Sequence, residues 1–182
     1  MRLKIVLLAV LTSLILTGCA SPAQVGNMQA AIPAEQKEKP SALRNNLALD
    51  GITGGKGTNP LWTSQVSNGD FRQALEASLK SAGLLTDGKN GRYRLNAHLD
   101  DLRQPVFGAS LTVSSKIHYV VLDTKTNRAI FEKTIDLPYT AAFSEAFAAV
   151  KRLRLANEGA IRVNIEALIN ELISLDIADV EF

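Results

Sequence analysis

Residues 50–58 read DGITGGKGT, and a Gly-Lys pair in a glycine-rich run is the pattern with which backbone N–H groups wrap phosphate oxygens. That chemistry needs a glycine five positions before Gly55 and a hydroxyl directly after Lys56. Asp50 stands where the glycine should be, and Gly57 occupies the hydroxyl position, with Thr58 one residue late. The run also continues through NPLWTSQVSNGD before any helical pattern begins. It is read as a mobile glycine-rich surface loop, and no nucleotide is expected to bind.

The second set with chemical potential is His98, His118 and Asp100. On a period-2 count each histidine lies opposite the apolar face of its strand, so on neighbouring strands both would project from one solvent side, with Asp100 or Lys116 nearby. A His/His/Asp set can ligate a metal. Exposed strand histidines are the commoner outcome, so neither a metal nor a cofactor is expected. Asp100 and Asp101 are adjacent, so on a regular strand their carboxylates point to opposite faces. Ser114 and Ser115 lack the glycines of a nucleophile elbow. No catalytic residue is assigned. Trp62, the sole tryptophan, is the candidate partner contact, because aromatic anchors are enriched at interfaces. The bland alternative is that it caps the hydrophobic core.

The N-terminus carries the most specific signal. Arg2 and Lys4 precede the apolar stretch Ile5 to Leu16, which is short for a permanent membrane span and suits a secretory signal. Leu16-Thr17-Gly18-Cys19 follows. This run resembles the lipobox of bacterial lipoproteins. The resemblance implies cleavage before Cys19, diacylglycerol on its thiol and an acyl chain, typically palmitate, on its new amine. Ala20 stands where lipoproteins retained at the inner membrane have Asp, so the resemblance implies a lipid anchor in the outer membrane, facing the periplasm. Cys19 is the only cysteine, which excludes an intrachain disulfide framework and a cysteine-based zinc site. The formal charge of +2 includes Arg2 and Lys4, so the chain from Cys19 is neutral, and no nucleic-acid partner is expected.

The elements that must position these residues follow from periodicity. Residues 1–18 read as signal peptide. Residues 19–45, rich in Ala, Pro, Gln, Glu and Lys, read as the lipidated cysteine and a flexible tether about 25–30 Å long on average. Residues 46–182 read as the periplasmic domain, expected to fold without residues 1–45. A strand is predicted around Leu47, Leu49 and Gly51, with Ala48 and Asp50 on the other face. Ser67 or Asn68 caps a helix whose face is Phe71, Ala74, Leu75, Ser78, Leu79 and Ala82, and Gly83 ends it. Three alternating strands follow: Tyr93 to Leu99, Leu111 to Val121, and Ala129 to Leu137. The last two are joined by a hairpin turn at Asp123 and Asn127. Ile161, Ile165, Leu168, Leu172 and Leu175 mark a long closing helix, with Arg154 and Arg162 on its wetter sides.

The order β-α-β-β-β-α predicts an α+β fold, a two-layer α/β sandwich in which two helices cover one face of a four-stranded sheet. Lipobox, tether and this module together resemble the small envelope lipoproteins that include the LPS-assembly lipoprotein. The stretches NPLWTSQVSNGDFRQALEASLKSAGLL and ANEGAIRVNIEALINEL likewise look like parts of lipoproteins of similar length. The resemblance implies a non-catalytic binding module in cell-envelope assembly or transport, with an envelope protein or glycolipid as partner. The competing expectation is an envelope-remodelling enzyme acting on lipid or glycan, with a site assembled across the sheet.

Overall fold

The computed structural model describes residues 20–59, 63–88 and 90–177. Its centre is a mixed four-stranded sheet in the order β1-β2-β3-β4, with β1 Leu47–Thr53, β2 Tyr93–Arg103, β3 Leu111–Asp123 and β4 Arg128–Ala141. Helix α3 (Asn68–Ser81) connects β1 to β2, which pair in parallel, while β2–β3 and β3–β4 are antiparallel. Helix α4 (Ala149–Ser174) lies over β3 and β4. The expected α+β architecture is the one observed.

Local chemistry explains most of these elements. Ser67 Oγ accepts the Asp70 N–H at 3.1 Å and donates to the Asp70 carboxylate at 2.7 Å, which satisfies an orphan donor of α3 and puts a negative charge in its first turn. The helix buries Phe71, Ala74, Leu75, Ser78 and Leu79, the face read from the sequence. Gly83 ends it at φ +69°, where a side chain would be strained. Leu111, Val113, Ser115, Ile117, Tyr119 and Val121 of β3 all point into the core. In the β3–β4 turn, Asp123 accepts the Lys125 N–H at 2.8 Å and Asn127 adopts φ +55°.

Bulges change three details of the alternation. One extra residue in β1 at Asp50-Gly51 turns Ile52 inward where the period-2 count had placed Gly51. In β2 the extra residue is Asp100. Asp101 then faces the same open side as its partner Lys116, and both carboxylates are exposed instead of pointing to opposite faces. In β4 the extra residue is Ile130.

The largest departure lies in residues 20–45. The expected free tether is packed into the domain. Helix α1 (Val25–Met28) contacts both α3 and α4, and α2 (Ala34–Glu38) follows it. Ala23, Met28, Ala30, Ile32 and Leu43 join the main apolar core. Two helices laid on a twisted sheet leave a groove between them, and this segment fills it. The Ala30 N–H donates to Ser78 Oγ at 3.0 Å, and that hydroxyl in turn donates to the Ala74 carbonyl at 2.7 Å, so the buried polar groups at this contact are paired. Residues 46–182 therefore do not contain the whole core.

The helix α4 seam is polar as well as apolar. Asn164 donates to the carbonyls of Ser115 and Ile135, each at 3.0 Å, and accepts from the Tyr119 hydroxyl at 3.0 Å. Burial holds the Tyr119 phenol well above its ordinary pKa, so it stays a neutral donor. Gly159 meets the ring of Tyr139, where a Cβ would lie 2.1 Å from a ring carbon. That contact is why a glycine sits in the middle of a helix.

Candidate functional site

The glycine run that resembles a phosphate loop is fastened to the domain. Gly54 has φ +87° and passes so close to β2 that a Cβ would lie 2.2 Å from the Leu99 carbonyl oxygen. The Gly55 N–H donates to Asn68 Oδ1 at 2.7 Å and the Lys56 N–H to the Val66 carbonyl at 2.9 Å. The expectation of a mobile arm is thus corrected for residues 54–58: Gly54 and Gly55 serve close backbone approach, while a side chain at Gly57 would meet open space. Trp62, the candidate partner contact, lies outside the described residues, as does Cys19.

His98 and His118 come together. They are direct cross-strand partners on the open face of the sheet. Thr53 Oγ1 is 2.7 Å from His98 Nδ1, and Thr134 Oγ1 is 3.0 Å from His118 Nδ1, so a Thr-His-His-Thr row crosses all four strands. Asp100 stands 3.9 Å from His98 Nε2, and Glu132 stands 3.4 Å from His118 Nε2. Each imidazole thus turns toward a separate carboxylate. Among the described residues, no three His, Cys, Asp or Glu groups converge as metal ligands. A hydroxyl–imidazole contact is also the start of a nucleophile–base pair. Here it lies on an open surface, and Asp100 is too far for a hydrogen bond to orient the ring.

A different constellation, absent from the sequence reading, occupies the end of the domain where β2 and β4 finish and β3 and α4 begin. Glu158 is 1% exposed and receives the N-terminal segment: the Gln24 N–H at 2.7 Å, the Asn27 amide at 2.8 Å and an ion pair with Arg154 at 3.4 Å. Arg154 also donates to Ser21 Oγ at 2.6 Å. Ser64 Oγ donates to the Ser21 carbonyl at 2.9 Å, and the Ser64 carbonyl receives Asn157 at 2.9 Å and Gln104 at 2.8 Å. Arg162 donates to the Asn27 carbonyl at 2.9 Å and stacks on Tyr139. Arg154 and Arg162 therefore do not serve the wet face assigned to them. They clamp residues 21–27 along α4, in the same direction as the helix. Ala20 itself is buried.

Beyond this clamp lie two loops that expose large apolar side chains. Val106 and Phe107, in the β2–β3 loop, are 95% and 88% exposed; Phe143 and Phe147, before α4, are 48% and 83% exposed. Arg152, itself buried, ties the loops together. It donates to the carbonyls of Ala146 at 2.5 Å, Phe147 at 3.2 Å and Gly108 at 3.4 Å, and stacks on Phe143 at 5.1 Å. Phe143 and Phe147 meet edge to face with ring centres 5.5 Å apart. The sequence signal was available in PVFG and AFSEAF: large apolar residues where no periodic element can bury them.

No helix among the described residues is long and apolar enough to cross a membrane. No family model matches the sequence, and no curated protein matches it. Solved structures do share its fold. A Xanthomonas campestris protein of the DUF330 family aligns at TM-score 0.59 and 12% identity, over 85% of this chain and 95% of its own. A presumptive lipoprotein from Caulobacter crescentus aligns at TM-score 0.52 and 14% identity, over 82% and 99%. A minor lipoprotein from Acinetobacter baumannii aligns at TM-score 0.52 and 12% identity, over 74% and 94%. At these identities the likeness establishes a shared fold, one that recurs in proteins described as bacterial lipoproteins.

Proposed function

We propose that the chain is an outer-membrane-anchored lipoprotein facing the periplasm, and that its domain is a non-catalytic binding module in cell-envelope assembly or transport. The observation that carries this reading is the clamp on Ser21. It begins two residues after the lipobox cysteine, so acyl chains on Cys19 would leave the domain almost no slack. A domain held at one height and orientation presents the same surface to every partner. That is what docking requires, whereas an enzyme searching for lipid or glycan gains from a free tether. The fold shared with lipoproteins supports the same reading, and Ala20 after the cysteine supports the outer membrane. The partner is an envelope protein or a glycolipid, and Trp62 is retained as its candidate contact.

The experiment is metabolic labelling with a palmitate analogue, followed by density separation of inner and outer membranes. Wild type should carry label and band with the outer membrane, and Cys19→Ser should lose both. Label that persists in Cys19→Ser refutes the anchor, and a labelled protein in the inner membrane refutes the localisation. Crosslinked capture from membranes should then lose its partner in Trp62→Ala with the denaturation midpoint unchanged. A fallen midpoint would instead make Trp62 a core cap.

A further inference from the structure

We infer that Val106, Phe107, Phe143 and Phe147 form a second, non-covalent membrane contact: they enter the phospholipid surface beside the lipid anchor. The inference rests on reading Cys19 as that anchor and adds how the domain sits on the bilayer.

Three observations carry it. First, four large apolar side chains from two loops sit at one end of the domain, three of them more than four-fifths exposed. Scattered exposed apolar residues are ordinary, but a cluster at one tip marks an interaction site. Second, the tip is held in shape. Arg152 joins both loops through three carbonyls, and Gly108 at φ +154° turns the first loop where a Cβ would lie 2.6 Å from the Ser110 carbonyl oxygen. Third, the polypeptide itself says what covers the tip. Residues 21–27 run parallel to α4, from Arg154 toward Arg162, so tracing back toward Cys19 leads to the α4 N-terminus and these phenylalanines. Ala20 follows Cys19 by one peptide bond, a Cα separation of about 3.8 Å. Lipid inserted through Cys19 therefore brings the bilayer to this end. Phenylalanine rings at the headgroup boundary gain what they lose in water. Lys151 and Glu145, both exposed near the tip, are of opposite sign, and Arg152 is buried behind the loops, so the side chains that reach outward furthest are the apolar ones.

Cys19 is the sole cysteine and its thiol carries the acyl group under this reading, so a cysteine introduced elsewhere can be labelled alone. Phe107→Cys, Phe147→Cys and, at the opposite end, Thr126→Cys are each labelled with a polarity-sensitive fluorophore. The lipidated full-length proteins then go into phosphatidylethanolamine–phosphatidylglycerol vesicles containing nitroxide-labelled lipid. Labels at 107 and 147 should shift to the blue and be quenched, and the label at 126 should do neither. Acylated protein with unquenched labels at 107 and 147 overturns the inference, as does quenching at 126 instead. A second arm uses the chain expressed from Ala20 onward, without signal or cysteine, which isolates the loops from the anchor. Its vesicle partitioning should fall by about tenfold or more in Phe107→Ser/Phe147→Ser. Equal partitioning overturns the inference, and so does a dimer seen by light scattering that the double variant dissolves without any vesicle binding. Loop-dependent partitioning alongside a wild-type protein that takes no palmitate would sustain the loop contact while refuting the anchor.

Discussion

The two ends of the sheet are built on opposite principles. At the β3–β4 end, Asp123 and Asn127 make a tight turn from local chemistry, and Arg92 donates to the buried Asp123 carboxylate at 2.8 Å. Every residue from Thr124 to Ala129 is exposed, and none is a large apolar residue. At the other end, Arg152, Arg154 and Glu158 are drawn into the protein to hold two loops and the N-terminal segment, while phenylalanines face outward. The first end is arranged for water. The second spends buried charge on fixing a surface that water does not favour, which an end facing a membrane or a partner requires.

Breaking the clamp should have the largest effect. Glu158→Ala removes two hydrogen bonds and leaves Arg154, whose side chain is 16% exposed, without its ion-pair partner. Loss of about 3–5 kcal/mol is expected in chemical denaturation. Leu168→Ala and Leu172→Ala cut into the shared core and should each cost about 2–5 kcal/mol. Gly159→Ala separates packing from propensity. In a free helix the change stabilises by about 1 kcal/mol, but the Tyr139 ring should reverse the sign and destabilise by about 1–3 kcal/mol.

The polar end has its own signature, in pH. The Arg92 hydrogen bond holds the Asp123 carboxyl below its ordinary pKa, helped by the Lys125 N–H and opposed by burial. A depressed folded-state pKa means that this stabilisation is full above the unfolded carboxylate pKa and is lost as pH falls through the folded one. Denaturation midpoints of wild type and Asp123→Asn should therefore differ near neutrality and converge in acid. Smallest of all, Phe107→Ser should change the stability of the lipid-free chain by no more than about 0.5 kcal/mol, because its side chain is already in water.

Legibility in the sequence followed the range of the interactions. The helix face from Phe71 to Leu79, the α4 stripe, the hairpin turn and the alternation of β3 all arise from neighbours a few positions apart, and each was readable. The bulge at Asp100 was not, because it depends on registry with β3. Residues 20–45 were misread for the same reason. Their buried side chains, Ala23, Met28, Ala30, Ile32 and Leu43, follow no period, and what holds them is Glu158 and Ser78, far along the chain. Nothing in the sequence around Glu158 separates a buried acid from a helix-surface one. The candidate tip was missed, although Phe107, Phe143 and Phe147 are apolar residues outside any periodic stretch; that they share one end with Ala20 required the fold.

The central claim is that residues 20–45 are part of the domain. Hydrogen exchange on the protein tests it through two amides, that of Gln24, bonded to Glu158, and that of Ala30, bonded to Ser78. Both should exchange as slowly as amides of the core strands and should speed up sharply in Glu158→Ala. Exchange at the rate of an unstructured chain in the wild-type protein would contradict the account and restore a free tether.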